Sequence, residues 1–200
     1  MSDDSEEHRQ KMIRRKEAHD RKLAAATQEK GLLIVNTGAG KGKTTASLGI
    51  VFRALGHGMK VGVVQFTKGA IATGEAAQAK KLAPQLEWHV LGEGFTWDTQ
   101  DRERDVAAAR QAWATAVRLM RDPSFDLIVM DELNIVLRYD YLAIDEVLTE
   151  LRAKREMLHV VVTGRNAKPE LIDLADLVTD MTMVKHPFRS GIKPQRGVEF

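Results

Sequence analysis

The chain of 200 residues contains no cysteine, only five prolines, and aromatic residues make up just 6% of it. The absence of cysteine excludes disulfides, thiolate catalysis, iron–sulfur ligation and cysteine-based zinc sites. No run of about 18 apolar residues is present, so the sequence predicts no membrane span. The first residues also lack the apolar segment of a secretory signal, and we therefore expect a cytoplasmic location.

Charge of one sign is also lacking, because 30 Lys and Arg residues face 28 Asp and Glu residues. The formal net charge of +2 is too small to indicate a nucleic-acid partner. The hydrophobic fraction of 44% and the charged fraction of 29% are those of an ordinary globular domain. These values exclude a wholly disordered chain, and the length suits one domain with an additional arm.

The composition divides the chain near residue 30. Residues 1–30 contain 8 Lys or Arg and 7 Asp or Glu, so half of this segment is charged. Residues 10–29 contain neither Gly nor Pro, which favours a helix. We predict a charged helical arm over residues 1–30, which is either solvated or covers a ligand or a partner subunit. Residues 31–200 are predicted to form the main domain.

In residues 31–200, apolar segments typical of buried strands alternate with segments typical of helices. This order predicts an α/β domain with a mostly parallel sheet and helices on both faces. The predicted strands are Leu32–Asn36, Val61–Phe66, Leu86–Leu91, Phe125–Asp131, His159–Thr163 and Leu177–Met183. The predicted helices are Thr44–Leu55, Thr73–Leu82, Asp98–Arg121 with Asp98 as the N-cap, a segment around residues 144–151, and one beginning near Pro169. The residues after Lys185 are predicted to form a loop.

The most informative motif is GAGKGKTT, which follows the apolar strand LLIV and precedes a helix, as a P-loop requires. Glycines let backbone N–H groups converge on phosphate oxygens, and the helix N-terminus adds further donors. The usual first glycine is replaced by Thr37, and Lys41 adds a cation. We predict that Lys43 binds phosphate and that the Thr44 hydroxyl binds magnesium. The predicted nucleotide site comprises Gly38, Ala39, Gly40, Lys41, Gly42, Lys43, Thr44 and Thr45.

A second buried strand ends in the acidic pair Asp131 and Glu132, which is the Walker B pattern. Carboxylates in this position reach the sheet edge that carries the P-loop. We therefore predict Thr44 and Glu132 as magnesium ligands, with Asp131 as the second carboxylate. No guanine-reading N-K-x-D motif is present, which favours ATP over GTP.

These motifs alone leave several classes of P-loop protein open. An ATPase switch or motor would act on a nucleic acid or on a protein partner. A nucleic-acid partner would require a basic face, which the balanced charge does not predict. A small-molecule kinase would be expected to carry an arginine-rich lid. A small basic cluster is formed by Arg152, Lys154 and Arg155, and we interpret it as a solvated helix end.

Several longer stretches discriminate among these classes. The chain resembles the P-loop corrinoid adenosyltransferases, which attach the 5′-deoxyadenosyl group of ATP to the cobalt of a reduced corrinoid (cobalamin or cobyrinic acid diamide). The resemblance covers nearly the whole chain, and its most specific stretches are GEGFTWDTQDRERD, MDELNIVLRYDYL, VVTGRNAKPELIDLADLVT and GIKPQRGVEF. Two departures are Ala39, where the family often has Asn, and residues 70–72, where it often has a Trp-Pro-Asn-like sequence. The second departure leaves the preferred corrinoid open.

The resemblance implies a RecA-like P-loop fold and a transferase that uses magnesium and ATP and releases triphosphate. Lys41 and Lys43 would neutralise the triphosphate. Phe95 and Trp97 would form an aromatic wall that faces the corrinoid, although the residues alone favour ordinary packing in the core. Arg53 and Arg165 lie in matched segments and would contact phosphate or ribose.

The resemblance also implies partners. The arm over residues 1–30 would cover the corrinoid site, either in its own chain or in the second subunit of a homodimer. A reduced flavoprotein would donate the electrons that give Co(I). Neither a nucleic acid nor a membrane is expected to bind.

Overall fold

The computed structural model of the protein describes residues 2–67, 73–82, 84–92 and 101–198. It divides into two compact units, Met1–Lys30 and Gly31–Phe200. The first unit contains one helix, α1 (Ser2–Ala25), whose 24 residues include neither Gly nor Pro. This helix begins earlier and ends earlier than the helix predicted over residues 10–29. None of the helices in the described ranges is long and apolar enough to cross a membrane.

The second unit is built on a six-stranded sheet in the order β3-β2-β4-β5-β1-β6. Every pair of neighbouring strands in it is parallel, which confirms the predicted α/β class. The strands are β1 (Leu33–Thr37), β2 (Val61–Gln65), β3 (Leu86–Val90), β4 (Leu127–Asp131), β5 (His159–Thr163) and β6 (Leu177–Asp180). Strand β5 lies between β1, which precedes the P-loop, and β4, which ends in the acidic pair.

Helices cover both faces of the sheet. They are α2 (Lys43–Gly56), α3 (Gly74–Ala79), α4 (Arg102–Arg121), α5 (Leu133–Arg138), α6 (Ile144–Arg152) and α7 (Pro169–Leu174). Side chains of a strand alternate between the faces, so Leu127 and Val129 pack in the cluster with α2 and α3. Ile128 and Met130 pack on the other face, in the cluster with α4, α5, α6 and α7. Strands buried on both faces explain the continuous apolar runs in the sequence.

Several predicted boundaries differ from the structure. The long helix α4 begins at Arg102, and its N-cap is Asp101, whose carboxylate accepts a hydrogen bond from the Arg104 N–H at 3.1 Å. The prediction of Asp98 as the cap is therefore wrong, because Asp101 has the required spacing to the first turn. Helix α5 was not predicted, since its six residues are too short to show a periodicity. A single 3-10 turn at Pro187–Ser190 lies within the predicted C-terminal loop.

Candidate functional site

The P-loop and the acidic pair lie at the same edge of the sheet. The P-loop follows β1, and Asp131 is the last residue of β4. Because all the strands are parallel, their carboxyl ends meet at one edge, where α/β proteins bind ligands. Thr163, the last residue of β5, lies between the two motifs.

Glycines shape the P-loop where other residues would be strained. Gly38 and Gly42 have φ values of 98° and 109°, a region that side chains with a Cβ rarely adopt. A Cβ at Gly40 would lie 2.6 Å from the carbonyl oxygens of both Met181 and Thr182, which follow β6. The Gly40 N–H donates a hydrogen bond of 2.6 Å to the Met181 carbonyl. The glycines therefore allow both the turn and its close approach to residues 181–182.

The departure at position 37 has a structural role. Thr37 is buried, and its hydroxyl oxygen accepts a hydrogen bond of 3.1 Å from the Ala167 N–H. Residue 167 belongs to the loop after β5, so this contact joins that loop to the start of the P-loop. A glycine in position 37 could not make this bond, which explains why a threonine suits the variant loop.

Lys43 is buried in the P-loop, and its ammonium group donates hydrogen bonds to the carbonyls of Gly38, at 2.8 Å, and Gly40. Burial lowers the pKa of Lys43 below its ordinary value, and the positive charges of Arg165 and Lys41 lower it further. Glu132 and Asp131 oppose this shift. These interactions show that Lys41, Arg165, Asp131 and Glu132, all predicted site residues, lie within electrostatic reach of Lys43.

The two acidic residues have different environments. Asp131 is 1% exposed, and its Oδ1 accepts hydrogen bonds from the Thr44 hydroxyl at 2.9 Å and the Thr163 hydroxyl at 2.7 Å. Its Oδ2 accepts a hydrogen bond of 3.0 Å from the Gln65 amide. Glu132 has a left-handed backbone with φ 65°, and its N–H donates to the Thr163 hydroxyl oxygen at 2.9 Å. A non-glycine residue in this conformation stores strain, which is common at functional sites.

The donor set fits Mg²⁺ that arrives with a nucleotide. Thr44, Asp131 and Glu132 offer only oxygen atoms, which Mg²⁺ prefers. Within residues 2–67, 73–82, 84–92 and 101–198, no group of three or more His, Cys, Asp or Glu residues could hold a metal ion alone. Mg²⁺ usually binds through one or two carboxylates together with substrate phosphates, so a complete protein cage is not required.

The structure does not bring every predicted residue to this site. Arg53 lies in the last turn of α2, ten residues after Lys43, which corresponds to roughly 15 Å along the helix axis. That Arg53 contacts phosphate or ribose stays a prediction. Phe95 and Trp97, together with residues 70–72, lie outside the described residues.

Sequence analysis missed three residues of the site. Gln65 and Thr163 contact Asp131, and Thr37 holds the loop after β5. Gln65 and Thr163 each end an otherwise apolar strand, in VGVVQ and HVVVT. A buried polar residue in this position was the available signal, because it must find a hydrogen-bond partner at the sheet edge.

Gly164 restricts the space beside Glu132, and its replacement tests how rigid this edge must be. Its φ is 125°, and a Cβ would lie 2.9 Å from the Asn134 Cβ and 3.1 Å from the Glu132 Oε2. We expect Gly164→Ala to lower the free energy of unfolding by about 1–3 kcal/mol. Gly49→Ala is the matched control, because a Cβ there meets nothing within 4 Å on the exposed side of α2. It should stabilise the chain by roughly 0.5–1 kcal/mol in urea unfolding. Equal effects of the two variants would contradict the assignment of strain to Gly164.

Fold and site together define a class: an α/β protein with a P-loop and an acidic pair that is built to bind a nucleoside triphosphate. The family follows from comparison with known proteins. Residues 29–200 match the family model described as ATP:corrinoid adenosyltransferase BtuR/CobO/CobP. The chain belongs to this family.

Full-length relatives agree with this assignment. The corrinoid adenosyltransferase of Pseudomonas aeruginosa is 54% identical over 193 residues, which cover 96% of this chain and 95% of the relative. The corrinoid adenosyltransferase of Escherichia coli K12 is 44% identical over 201 residues, which cover 100% of both chains. These matches confirm the predicted family and identify the chain as an enzyme of the corrinoid adenosyltransferase class.

A solved structure supports the fold alone. The flagellar accessory protein FlaH from Methanocaldococcus jannaschii aligns with a TM-score of 0.52 and 12% identity, covering 76% of this chain and 71% of that one. At this identity, the likeness concerns the architecture of the sheet and its helices and carries no information on activity.

Proposed function

We propose that the protein transfers the 5′-deoxyadenosyl group of ATP to the Co(I) centre of a corrinoid and releases triphosphate. The cobalt supplies the electron pair of the new Co–C5′ bond. The C5′–O bond breaks, and its electron pair leaves with the triphosphate. Because the cobalt itself is the nucleophile, the protein needs no Ser, Cys or His nucleophile and acts by positioning and charge neutralisation.

The observation that carries this proposal is the cluster of cations around the P-loop. Burial and the charges of Arg165 and Lys41 lower the pKa of Lys43, while Glu132 and Asp131 oppose this shift, so three cations lie within electrostatic reach of one another at the P-loop. A triphosphate leaving group would be neutralised by these cations. We assign phosphate binding to Lys41, Lys43 and Arg165, and the backbone cradle to residues 38–45.

A magnesium ion bound with ATP would neutralise further charge on the phosphates. The Thr44 hydroxyl and the Glu132 carboxylate are the proposed direct ligands. Asp131 is engaged by the Thr44 hydroxyl at 2.9 Å, and it therefore orients that hydroxyl. This arrangement leaves the lone pairs of the Thr44 oxygen for the cation.

The corrinoid side of the site rests on the family resemblance. We propose that Phe95 and Trp97 form an apolar aromatic wall under the macrocycle that excludes the lower axial ligand. The absence of this ligand makes the reduction of Co(II) to Co(I) easier. The helical arm over residues 1–30 would cover this site in a homodimer. A reduced flavoprotein would supply the electron.

The decisive experiment mixes the purified protein with Mg²⁺, ATP and chemically reduced Co(I) corrinoid. We expect loss of the Co(I) absorption bands and one triphosphate for each adenosylcorrinoid, quantified by ion-exchange chromatography. ADP and phosphate without corrinoid turnover would instead indicate an ATPase or a kinase. Running cobyrinic acid diamide, cobinamide and cobalamin in parallel identifies the preferred corrinoid.

The role of the aromatic wall is tested by comparing adenosylation that starts from Co(II) corrinoid with adenosylation that starts from Co(I) corrinoid. We expect the double variant Phe95→Ala, Trp97→Ala to lose at least about tenfold in adenosylation from Co(II) with a flavoprotein reductant, because the lower ligand is no longer excluded. Adenosylation from chemically prepared Co(I) should fall much less. Unchanged rates from Co(II) would refute the role of these residues.

A further inference from the structure

A row of polar side chains crosses the buried face of the sheet beneath α2. Val63, Val129 and Val161 pack in the cluster on this face. Because strand side chains alternate, the residues two positions later, Gln65, Asp131 and Thr163, lie on the same face. Gln65 and Asp131 are direct neighbours in the register of β2 and β4. Both are only 1% exposed.

The Gln65 amide is fixed at both ends. Its Nε2 donates a hydrogen bond of 3.0 Å to the Asp131 Oδ2, and its Oε1 accepts one of 3.3 Å from the Trp88 indole N–H. An indole N–H can only donate and an ionised carboxylate can only accept, so the amide has one orientation that satisfies both. Trp88 thus holds the glutamine with its donor group directed at Asp131.

Burying a glutamine side chain costs free energy unless its polar atoms are hydrogen-bonded, and the preceding residues of β2 are apolar or glycine. We therefore interpret the hydrogen bonds of Gln65 as serving to orient the Asp131 carboxylate. Its Oδ1 accepts hydrogen bonds from the Thr44 and Thr163 hydroxyls, and its Oδ2 accepts one from the Gln65 amide. Without the Gln65 donor, the Asp131 Oδ2 would lose this hydrogen bond, and the carboxylate would be held less firmly in the orientation that engages the Thr44 hydroxyl.

We propose that Gln65 is a positioning residue that holds Asp131, and through it the Thr44 hydroxyl, in the orientation that binds the Mg²⁺ of MgATP. This inference rests on the proposed function, because it takes Mg²⁺ to arrive with ATP at Thr44. Gln65 touches neither the cation nor the nucleotide in this assignment. Its effect is therefore confined to the metal-dependent part of ATP binding.

The test separates metal-dependent from metal-free ATP binding. The affinity for a fluorescent ATP analogue is measured as Mg²⁺ is titrated, and again in EDTA. Gln65→Met has nearly the same volume but no donor. We expect it to raise the Mg²⁺ concentration for half-maximal enhancement of binding by about 10–100-fold. Affinity in EDTA should stay within about twofold, because the P-loop amides and Lys43 are unchanged.

Two further variants complete the design. Gln111→Met makes the same change on the exposed side of α4 and should leave both affinities unaltered. Trp88→Phe keeps the Asp131 contact but frees the other end of the amide, and should shift the Mg²⁺ requirement by a smaller factor. This variant tests the proposal even if Gln65→Met does not fold.

Each other outcome has a defined meaning. A folded Gln65→Met chain with an unchanged Mg²⁺ requirement would overturn the positioning role, as would an equal loss of affinity with and without the metal. A wild-type chain that binds the analogue equally well in Mg²⁺ and EDTA would overturn the proposed magnesium site together with this role. A wild-type chain that binds no ATP analogue under either condition would refute the proposed function itself.

Discussion

Replacing Lys43 by methionine is expected to lower the affinity for ATP at least about 100-fold and to remove measurable adenosylation, because a buried charge aimed at phosphate is worth several kcal/mol. The ammonium group is held by the Gly38 and Gly40 carbonyls inside the loop. A triphosphate would thus meet a cation that is already oriented. Isothermal titration with ATP and the corrinoid assay measure the two losses.

The fold should survive this substitution. Burial lowers the pKa of Lys43, which means that the folded chain without nucleotide disfavours the charged form. Methionine has similar length and removes that charge, so the melting temperature without ATP should change by only a few degrees. Lys80→Met, on an exposed residue at the end of α3, is the control and should bind ATP normally. If Lys43→Met bound ATP as tightly as the wild type, the P-loop assignment would be wrong.

Much of the fold could be predicted because its strongest signals are local. The strands buried on both faces are continuous apolar runs, and each of the six predicted strands overlaps one in the sheet. The P-loop is a single stretch of eight residues whose glycines meet a requirement of the backbone itself. Such features need no knowledge of which strands become neighbours.

The parts that could not be predicted depend on strand order and on distance. Gln65 acquires its partner only because β2 lies beside β4, and Thr163 only because β5 follows β4 in the sheet. Arg53 shares a matched segment with the P-loop, yet the rise of α2 carries it to the far end of the helix. Proximity along the chain therefore does not by itself place Arg53 beside the P-loop, because a straight helix separates its ends.

The basic cluster at residues 152–155 was also interpreted wrongly in part. Arg152 is exposed, as a solvated helix end requires, but Lys154 and Arg155 are half-buried. The Lys154 ammonium donates to the Gly31 carbonyl at 2.6 Å. The Arg155 guanidinium donates to the carbonyls of Met120, at 3.2 Å, Asp122, at 2.9 Å, and Phe125. A guanidinium can serve several acceptors in one plane, which residue type alone does not reveal.

This cluster of contacts leads to the second large expected effect, which concerns stability. Arg155→Met should lower the free energy of unfolding by about 2–4 kcal/mol, since it leaves three carbonyls without their charged donor. These carbonyls lie at the C-terminal end of α4 and in the turn that leads into β4. The last carbonyls of a helix have no N–H donor within the helix, so they depend on partners such as Arg155. For a chain of this size, the melting temperature should fall by roughly 5–15 °C.

Two variants separate the geometry of Arg155 from its charge. Arg152→Met removes the same charge from an exposed position and should change the free energy of unfolding by less than about 0.5 kcal/mol. Arg155→Lys keeps the charge but offers a single ammonium group, so it should recover only part of the loss. Urea unfolding of all three variants measures these differences. If Arg155→Met were no less stable than Arg152→Met, the three carbonyl contacts would have no net value. The tie between the end of α4 and the start of β4 would then come from the apolar core alone.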